Sequence, residues 1–361
     1  MSIEFAERIR RIPIYPVASG YDLGDDVAML ASNESCFAPL PAVVEAAQRV
    51  IAGSHRYPDP SYSQLRAALS DRYGVPAERI ALGNGSCDIL LAAGEALLEP
   101  GSEVVYAWPS FSVYPHLAAA SGARAIQVPL DSADRHDLDA MASEITVATR
   151  LVLICNPNNP TSTAVGLDEV EGFLEGVAPN VCVILDEAYV EFSLKLGDPH
   201  ASLELLRRYP NLVLLRTFSK VYGLAGLRVG YALGGTDEFR IAVDQVRQPF
   251  YLGVGAQAAA LEALRHQDEV ERRVERTIAE RLSLEEEVRG LGLWVADSDA
   301  NFIWLHLPEG VDEADVVRGL AERRVLVRAG GSLGREGALR VTVGTEAENA
   351  RFVAALAELL G

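Results

Sequence analysis

The sequence predicts an α/β protein in which a large, doubly wound and mostly parallel sheet is followed by a smaller α+β domain. Between residues 103 and 233, short runs rich in Val, Ile and Leu alternate with segments whose apolar residues recur at helical spacing. Runs that are apolar along their whole length are covered on both faces, which is typical of a parallel sheet between two helical layers. Shorter β-like runs then follow a long charged segment and indicate the smaller domain.

The elements of the large domain are predicted in chain order over residues 45–260. Their content of β-branched and aliphatic residues predicts strands at EVVYAW (103–108), RAIQVPL (124–130), RLVLICNP (150–157), VCVILDEAYV (181–190), LVLLRTF (212–218) and LRVGYAL (227–233). Between several of these strands, apolar residues at helical spacing predict helices at GLDEVEGFLEGV and SLELLRRYP.

The smaller domain is predicted over residues 261–361, with residues 1–44 forming an N-terminal arm and a further part of it. The segment HQDEVERRVERTIAERLSLEEEVRGLG, which begins at residue 266, has the pattern of an amphipathic helix with a solvated charged face. The predicted strands of this domain are NFIWLHL, VLVRAG and ALRVTVG.

The composition is that of a globular protein with a sizeable core. Of 361 residues, 49% are hydrophobic and 23% are charged. The formal net charge of −19 argues against nucleic acid as a partner, because binding a polyanion depends on clustered Lys and Arg. The charged N-terminus MSIEFAERIRR does not resemble a signal peptide, and no segment is long enough to cross a bilayer. We therefore expect no membrane association and a cytoplasmic location.

The cysteines and histidines are scattered along the chain. The six histidines form no pair at metal-ligand spacing, so we expect no metal site. The four cysteines lack both CxxC spacing and the density of a disulfide framework, and they are interpreted as reduced thiols mostly packed in the core: Cys36, Cys87, Cys155 and Cys182.

Polar residues follow several predicted strands at their carboxyl ends, where ligands bind in open α/β sheets. After three successive strands these residues are Asn159, then Asp186 and Tyr189, then Thr217, Ser219 and Lys220. In LGNGS, two glycines allow a tight turn and Ser86 then opens a helix, whose first amides favour an anion. Taken singly, these features have plainer interpretations as loop turns, turn caps and surface cations.

Taken together, these residues predict a site for pyridoxal 5'-phosphate. Lys220 supplies the amine for the aldehyde, provided that burial and neighbouring cations lower its pKa. Asp186 supplies the carboxylate that keeps the ring nitrogen protonated. The predicted donors to the phenolate are Asn159 and Tyr189, and the predicted phosphate ligands are Arg228, Ser219, Thr217 and the amides near Ser86.

Several motifs of the chain resemble those of a known enzyme family. The motifs NPNNPTS, DEAYVEF, RTFSKVYGLAGLRVGY, NFIWL and LRVTVG resemble the fold-type I aminotransferases that depend on pyridoxal 5'-phosphate, specifically the histidinol-phosphate aminotransferase family. The resemblance runs from ASNES at residue 31 to LRVTVGTEAEN near residue 349. It implies transamination and a homodimer with shared active sites. It also implies that Lys220 condenses with the cofactor aldehyde and that Asp186 partners the ring nitrogen.

The resemblance implies further roles at matching positions. Tyr57 in HRYPDP resembles the tyrosine that reaches the phosphate from the second subunit. Phe111 in WPSFSVYP falls where the family has an aromatic against the cofactor ring, although a plain core phenylalanine is the alternative. Arg340 resembles the arginine for the substrate anion, and the other candidates at the substrate are Arg328, Tyr15 and Asn159.

Departures from the family pattern bear on the substrate. The chain has NESCFAP in place of NENP, Cys87 in place of an acidic residue and NPTST in place of NPTG. Cys87 is expected to contact the cofactor through its backbone amide. These features, with WPSFSVYP, also resemble a related branch of phenylalanine or aromatic amino-acid aminotransferases.

The preferred prediction is histidinol phosphate, with imidazole acetol phosphate as the carbonyl partner and glutamate with 2-oxoglutarate as the second pair, in histidine biosynthesis. An aromatic amino acid is the alternative substrate. A phosphate-substrate decarboxylase would share the fold and Lys220. A non-catalytic regulatory domain is disfavoured, because it would normally bring a nucleic-acid-binding module and the sequence has no basic patch.

Overall fold

The computed structural model describes residues 3–5, 7–12, 14, 24 and 26–361. Its helices are α1 (Pro41–Ile51), α2 (Ser63–Tyr73), α3 (Ser86–Leu97), α4 (Tyr114–Ser121), α5 (Leu138–Ser143), α6 (Leu167–Gly176), α7 (Ser202–Arg208), α8 (Glu238–Val246), α9 (Val254–Ala263), α10 (Gln267–Gly290), α11 (Glu313–Glu322) and α12 (Glu346–Leu360). Short 3₁₀ helices span Glu7–Arg10, Ala77–Arg79, Val190–Phe192, Ala225–Leu227 and Gly331–Leu333.

The strands form three sheets among the described residues. They are β1 (Ala28–Met29), β2 (Ile80–Gly83), β3 (Glu103–Trp108), β4 (Arg124–Pro129), β5 (Thr149–Cys155), β6 (Cys182–Asp186), β7 (Leu212–Thr217), β8 (Gly230–Gly234), β9 (Trp294–Val295), β10 (Phe302–His306), β11 (Val325–Leu326), β12 (Arg328–Ala329) and β13 (Ala338–Thr342).

The large sheet has seven strands in the order β2-β8-β7-β6-β5-β3-β4. β8 runs antiparallel to both neighbours and the other pairs are parallel. This confirms the predicted fold class. β2 is not among the predicted strands, because four residues are too few for periodicity to distinguish a strand from a helix.

Several strands are shorter than predicted, and for two of them, β6 and β8, the backbone gives the reason. β6 ends at Asp186, and Tyr189 already leads into a 3₁₀ helix with φ −127° and ψ 9°. β8 begins only at Gly230, because Arg228 has a φ of 57°, which lies outside the β region. Both breaks direct polar side chains away from the sheet at its carboxyl edge.

Each face of the large sheet carries its own apolar core. Along β5, Val152 packs into one cluster while its neighbours Leu151 and Leu153 pack into the other, and all three are fully buried. Burial of each such side chain contributes about 2 kcal/mol of hydrophobic free energy. The continuous apolar runs seen in the sequence are therefore strands covered on both sides.

The smaller part of the molecule has a four-stranded antiparallel sheet, β12-β13-β10-β9, packed against α10, α11 and α12. β1 pairs in parallel with β11, so the segment before α1 joins this part. The boundaries predicted after residues 44 and 260 fall within α1 and α9 respectively, and they stay predictions.

The long helix α10 follows the predicted amphipathic pattern, except that two charged residues, Arg281 and Glu285, lie on its buried face. Arg281 is fully buried, and its Nη1 donates to the carbonyl oxygens of Phe192 and Ala300, both at 2.8 Å. One guanidinium thereby joins the segment after β6 to the segment before β10. No helix among the described residues combines the length and apolarity needed to span a bilayer.

Candidate active site

A cavity of about 500 Å³ lies at the carboxyl ends of β5, β6 and β7. It brings together twelve of the residues predicted from the sequence: Ser86, Cys87, Phe111, Asn159, Asp186, Tyr189, Thr217, Ser219, Lys220, Arg228, Arg328 and Arg340. Their proximity is a structural finding, whereas their individual roles stay predictions.

Lys220 lies three residues beyond the end of β7 and lines this cavity. Its Nζ donates to the carbonyl oxygens of Ser32 at 3.2 Å and Asn33 at 2.9 Å. Burial and the charges of Arg340 and Arg228 lower the pKa of Lys220 to about 7, although Glu34 acts in the opposite direction. The amine is therefore readily available in its neutral, nucleophilic form near neutral pH.

Asp186 ends β6 and is 3% exposed. Its Oδ2 accepts a hydrogen bond from the Tyr114 hydroxyl at 3.1 Å, and its Oδ1 accepts one from the Ala188 amide at 3.3 Å. Burial raises the pKa of Asp186 to about 6, and the hydrogen bond from Tyr114 limits the rise. None of the described groups that shift this pKa is a cation. A protonated ring nitrogen would supply the missing positive charge.

Asn159 and Tyr189 lie beside the lysine. Nη1 of Arg340 donates to Oδ1 of Asn159 at 2.6 Å, so the amide nitrogen of Asn159 is the atom left to donate to a ligand oxygen. The Tyr189 hydroxyl accepts a hydrogen bond from Nδ2 of Asn33 at 3.1 Å. Burial raises the pKa of Tyr189 well above its ordinary range, so the phenol keeps its proton as a donor.

The start of α3 forms a compact site for an anion. Gly85, with a φ of 80°, caps the helix, and a Cβ at this position would collide with the guanidinium of Arg228. Nη1 of Arg228 donates to Oγ of Ser219 at 3.3 Å, and Thr217 donates to the same Oγ at 2.9 Å. Helix amides, hydroxyls and an arginine in this arrangement fit a phosphate group.

The residues present therefore fit pyridoxal 5'-phosphate. Lys220 would hold its aldehyde carbon and Asp186 its ring nitrogen. The site at the start of α3 would hold the phosphate. Phe111 is half-buried, lines the cavity and lies edge-on to Tyr114, with the ring centroids 5.7 Å apart, so it is not a plain core residue. Burial raises the pKa of Cys87 to about 11, so its thiol stays neutral.

The small sheet contributes two arginines to the same cavity. Arg340 on β13 is 7% exposed, and its Nη2 donates to the carbonyl oxygen of Ala31 at 2.6 Å. Arg328 on β12 lies directly opposite Arg340 in the antiparallel register, so both side chains project from the same face of the sheet. Leu333, in the loop after β12, also lines the cavity.

Several residues of the site are absent from the sequence predictions, and three of them have contacts that shape it. Asn33, which contacts both Lys220 and Tyr189, stands in ASNES, and its φ of 53° is typical of Asn. The motif ASNES was the sequence signal that could have identified Asn33. Tyr114 carries no signal, because an aromatic residue at the start of an apolar helix is indistinguishable from core. Leu333 carries none either, since its place depends on the packing of two distant segments.

Among the described residues, one predicted site residue does not line this cavity. Tyr57 is outside the cavity of its own chain, 81% exposed, and its ring stacks on Phe250 with centroids 4.6 Å apart. Its contact with a second subunit stays a prediction. Tyr15 lies outside the described residues. Within the described part of the chain, no group of three His, Cys, Asp or Glu could hold a metal ion.

The chain is similar to known proteins along most of its length. The family model for aminotransferase class I and II matches residues 25–356. An aromatic amino acid aminotransferase of Cutibacterium acnes is 39% identical over 360 residues, covering 99% of both chains. A histidinol-phosphate aminotransferase of Moorella thermoacetica is 41% identical over 335 residues, covering 93% of this chain and 86% of the relative.

A solved structure is also similar across the whole chain. It is histidinol-phosphate aminotransferase from Sinorhizobium meliloti in complex with pyridoxal 5'-phosphate. The TM-score is 0.87 at 27% identity, and the match covers 100% of this chain and 98% of the other.

Proposed function

The chain belongs to the class I and II aminotransferases, and from this membership we propose that it transfers the amino group of an aromatic amino acid to a 2-oxo acid. Pyridoxal 5'-phosphate is its cofactor, and the protein is an aminotransferase that depends on it. The choice of an aromatic amino acid goes beyond what family membership provides.

One observation carries the choice of substrate. The cavity combines Arg340 with the apolar side chains of Phe111 and Leu333. Arg340 is oriented by Asn159 and by the carbonyl of Ala31, which suits it to a bidentate contact with a carboxylate. An aromatic amino acid presents one carboxylate and one flat apolar ring. The similarity to aromatic amino acid aminotransferases supports the same substrate class.

Histidinol phosphate, the substrate predicted from the sequence alone, is the second candidate. Arg328 beside Arg340 favours it, because two neighbouring guanidinium groups suit a doubly charged phosphate. The relative from Moorella thermoacetica supports it as well. We rank it second because the aromatic alternative is at least as well supported by the relatives and matches the apolar lining.

The residues of the site act as follows. When bound, the cofactor supplies an electron sink for the charge that develops at the substrate α-carbon. Asp186 would keep the ring nitrogen protonated, which would strengthen that sink. Asn159 and Tyr189 would donate hydrogen bonds to the phenolate oxygen. Lys220, whose pKa is lowered to about 7, would take the proton from the substrate α-carbon as general base, and its ammonium group would then return that proton, as general acid, to the former aldehyde carbon of the cofactor. Arg340 orients the substrate carboxylate.

A homodimer is part of the proposal. Tyr57, 81% exposed and stacked on Phe250, is a surface aromatic suited to reach the phosphate site of a second subunit. Mixing Lys220→Ala subunits with Tyr57→Phe subunits tests this. If subunits share sites, hybrid dimers contain one intact site and regain activity that neither variant has alone. Mixtures no more active than the sum of the two variants would contradict it.

The substrate is tested by separate half-reactions. The cofactor-loaded enzyme is mixed with L-phenylalanine or L-histidinol phosphate, and the loss of the visible cofactor band is followed. We expect phenylalanine to react at least about tenfold faster at equal concentration, a ratio within reach of pocket contacts alone. Rapid reaction with histidinol phosphate, with phenylalanine inert, would reverse the ranking of the two substrates.

A further inference from the structure

A buried carboxylate outside the cavity joins the two parts of the molecule. Asp134 lies in the loop between β4 and α5 and is 3% exposed. Its Oδ2 accepts a hydrogen bond from Nε1 of Trp304 at 3.1 Å and lies 2.9 Å from Nε2 of His306. Its Oδ1 accepts a hydrogen bond from Nη1 of Arg335 at 2.6 Å. All three partners belong to the smaller part.

This carboxylate stays charged in the folded protein. Burial acts to raise the pKa of Asp134, but the hydrogen bond to His306 and the charge of Arg335 outweigh burial, and the pKa is lowered. A buried ionised carboxylate with three partners has a defined position, because each lost partner leaves a charged group poorly solvated.

On one side, Asp134 holds a loop that forms part of the cavity wall. Arg335 belongs to residues 330–337, a turn whose shape is set within the smaller part by Glu313, which accepts hydrogen bonds from the amides of Gly331 at 3.0 Å and Gly337 at 2.8 Å. Leu333, in the same turn, lines the cavity. Because the turn is internally braced, the position of Arg335 determines the position of Leu333.

The turn also packs against the large domain. A Cβ at Gly334, whose φ is 105°, would come within 2.7 Å of the Trp108 indole. Trp108 ends β3, three residues before Phe111. Little space therefore separates the turn from the segment that carries the aromatic wall of the cavity.

On the other side, a chain of buried hydrogen bonds leads from Asp134 to the cavity. The backbone carbonyl of Asp134 accepts a hydrogen bond from the Thr163 hydroxyl at 2.7 Å. The Thr163 hydroxyl in turn lies 3.0 Å from the Thr161 hydroxyl. Nδ2 of Asn158 donates to Thr161 at 2.8 Å, and Ser110 donates to Oδ1 of Asn158 at 2.7 Å. Asn158 and Ser110 immediately precede the cavity residues Asn159 and Phe111 in the sequence.

We propose that Asp134 is a positioning residue that sets the width of the substrate side of the cavity, by docking the 330–337 turn with Leu333 against the segments that carry Phe111 and Asn159. This inference rests on the proposed function in one respect, namely that the substrate side chain occupies this part of the cavity. It concerns substrate binding, since Asp134 touches neither the lysine nor the phosphate site.

The test is Asp134→Asn, which keeps the volume of the side chain and removes its charge. We expect the KM for the amino donor to rise roughly 10- to 100-fold, the range for losing a hydrogen bond to a charged group. The maximal half-reaction rate and the Kd of pyridoxal 5'-phosphate change less than about threefold, because Asp134 has no contact with the groups that set them. Deuterium uptake in residues 330–337 increases in the protein without substrate.

Asp26→Asn is the matched control. It removes a carboxylate on the surface of the smaller part that pairs with Arg351 at 3.1 Å and with Arg324 at 3.8 Å, neither of which belongs to the turn. We expect it to leave all these measurements as in the wild type. Arg335→Met is the second variant, because the side chain of Arg335 is 43% exposed and its loss is tolerable for folding. We expect Arg335→Met to raise the KM and the deuterium uptake, as Asp134→Asn does. In the double variant of Asp134 and Arg335, the increase in KM should be smaller than the sum of the two single-variant effects in free-energy terms, because both changes remove the same contact.

Asp134→Asn with KM within twofold of wild type and unchanged uptake in the turn overturns the proposal, and so does a loss of maximal rate at unchanged KM. If Asp134→Asn does not fold, the KM and the deuterium uptake of the turn in Arg335→Met test the proposal instead. Failure of the proposed function looks different: the wild type does not react with phenylalanine. In that case the exchange measurement still shows whether Asp134 docks the turn.

Discussion

The two sides of the cavity are built in different ways. The cofactor side consists of Asn159, Asp186 and Lys220, which lie at or within a few residues of the ends of β5, β6 and β7. The proposed substrate side includes Arg340 on the small sheet and Leu333 in the turn between β12 and β13, and it depends on how two parts of the molecule pack. The residues proposed for the chemistry are thus placed by their own strands, whereas the residues proposed to select the substrate are placed by long-range packing.

Removing Lys220 abolishes the chemistry and leaves the substrate side intact. We expect Lys220→Ala to lower the half-reaction rate by more than about 10³-fold, since the variant lacks both the covalent attachment and the general base. The visible band of the bound cofactor disappears as well. The chain has one other lysine, Lys195, which is exposed, so Lys195→Ala is the control and keeps both signals. Borohydride reduction that labels Lys195 instead would contradict the assignment.

Asp186→Asn tests whether a residue of the cofactor side affects the reaction equally with different amino donors. The amide keeps the shape of the carboxyl group but does not stabilise a protonated ring nitrogen. We expect kcat/KM to fall about 10²- to 10³-fold, and by the same factor for phenylalanine and histidinol phosphate. The quantity to compare is the fold-loss in kcat/KM for phenylalanine divided by the fold-loss for histidinol phosphate. A loss confined to one donor would show that Asp186 acts on substrate choice and that the two sides of the cavity do not have separate roles.

Arg340→Lys acts on the substrate side. A lysine keeps the charge but not the bidentate geometry, so kcat/KM should fall roughly 10- to 100-fold for phenylalanine, mainly through KM. Arg328→Lys should change the same value much less if Arg340 alone binds the carboxylate. Equal losses in both variants would favour a shared, more highly charged group such as phosphate.

The lowered pKa of Lys220 gives the cofactor side a pH dependence of its own. The amine is neutral above its pKa of about 7 and protonated below it, so capture of added pyridoxal 5'-phosphate by the apoprotein slows roughly tenfold from pH 8 to pH 6. The rate should level off above pH 8. An ordinary lysine would instead give a rate that is still rising steeply between pH 8 and pH 10, and stopped-flow absorbance distinguishes the two profiles.

The smallest effect is expected at Cys87. Burial raises the pKa of this thiol to about 11, so the side chain carries no charge toward the phosphate, and its backbone amide remains in any variant. Cys87→Ala should change the Kd of pyridoxal 5'-phosphate by less than about twofold, measured by absorbance titration. A larger loss would assign the side chain a contact with the cofactor.

The sequence was most informative where a residue's role depends on its own strand. Ten of the twelve predicted residues that line the cavity lie along one edge of the large sheet, where the carboxyl ends of its parallel strands meet. The other two, Arg328 and Arg340, come from the small sheet. The sequence was less informative about backbone breaks: the early end of β6 and the late start of β8 follow from local φ and ψ values that apolar runs do not reveal. The buried Arg281 also escaped prediction, because charge at a helix position normally indicates solvent.

By itself, the sequence determined the class of sheet, the cofactor and the residues expected to hold it, since each of these follows from short motifs at strand ends. Only the tertiary structure decided that Tyr114 supports Asp186, that Asn33 reaches Tyr189, and that Asp134 meets Trp304. The last pair is 170 residues apart in the chain. Contacts of that kind arise from the packing of complete elements, and periodicity and residue type carry no record of which distant surfaces will meet.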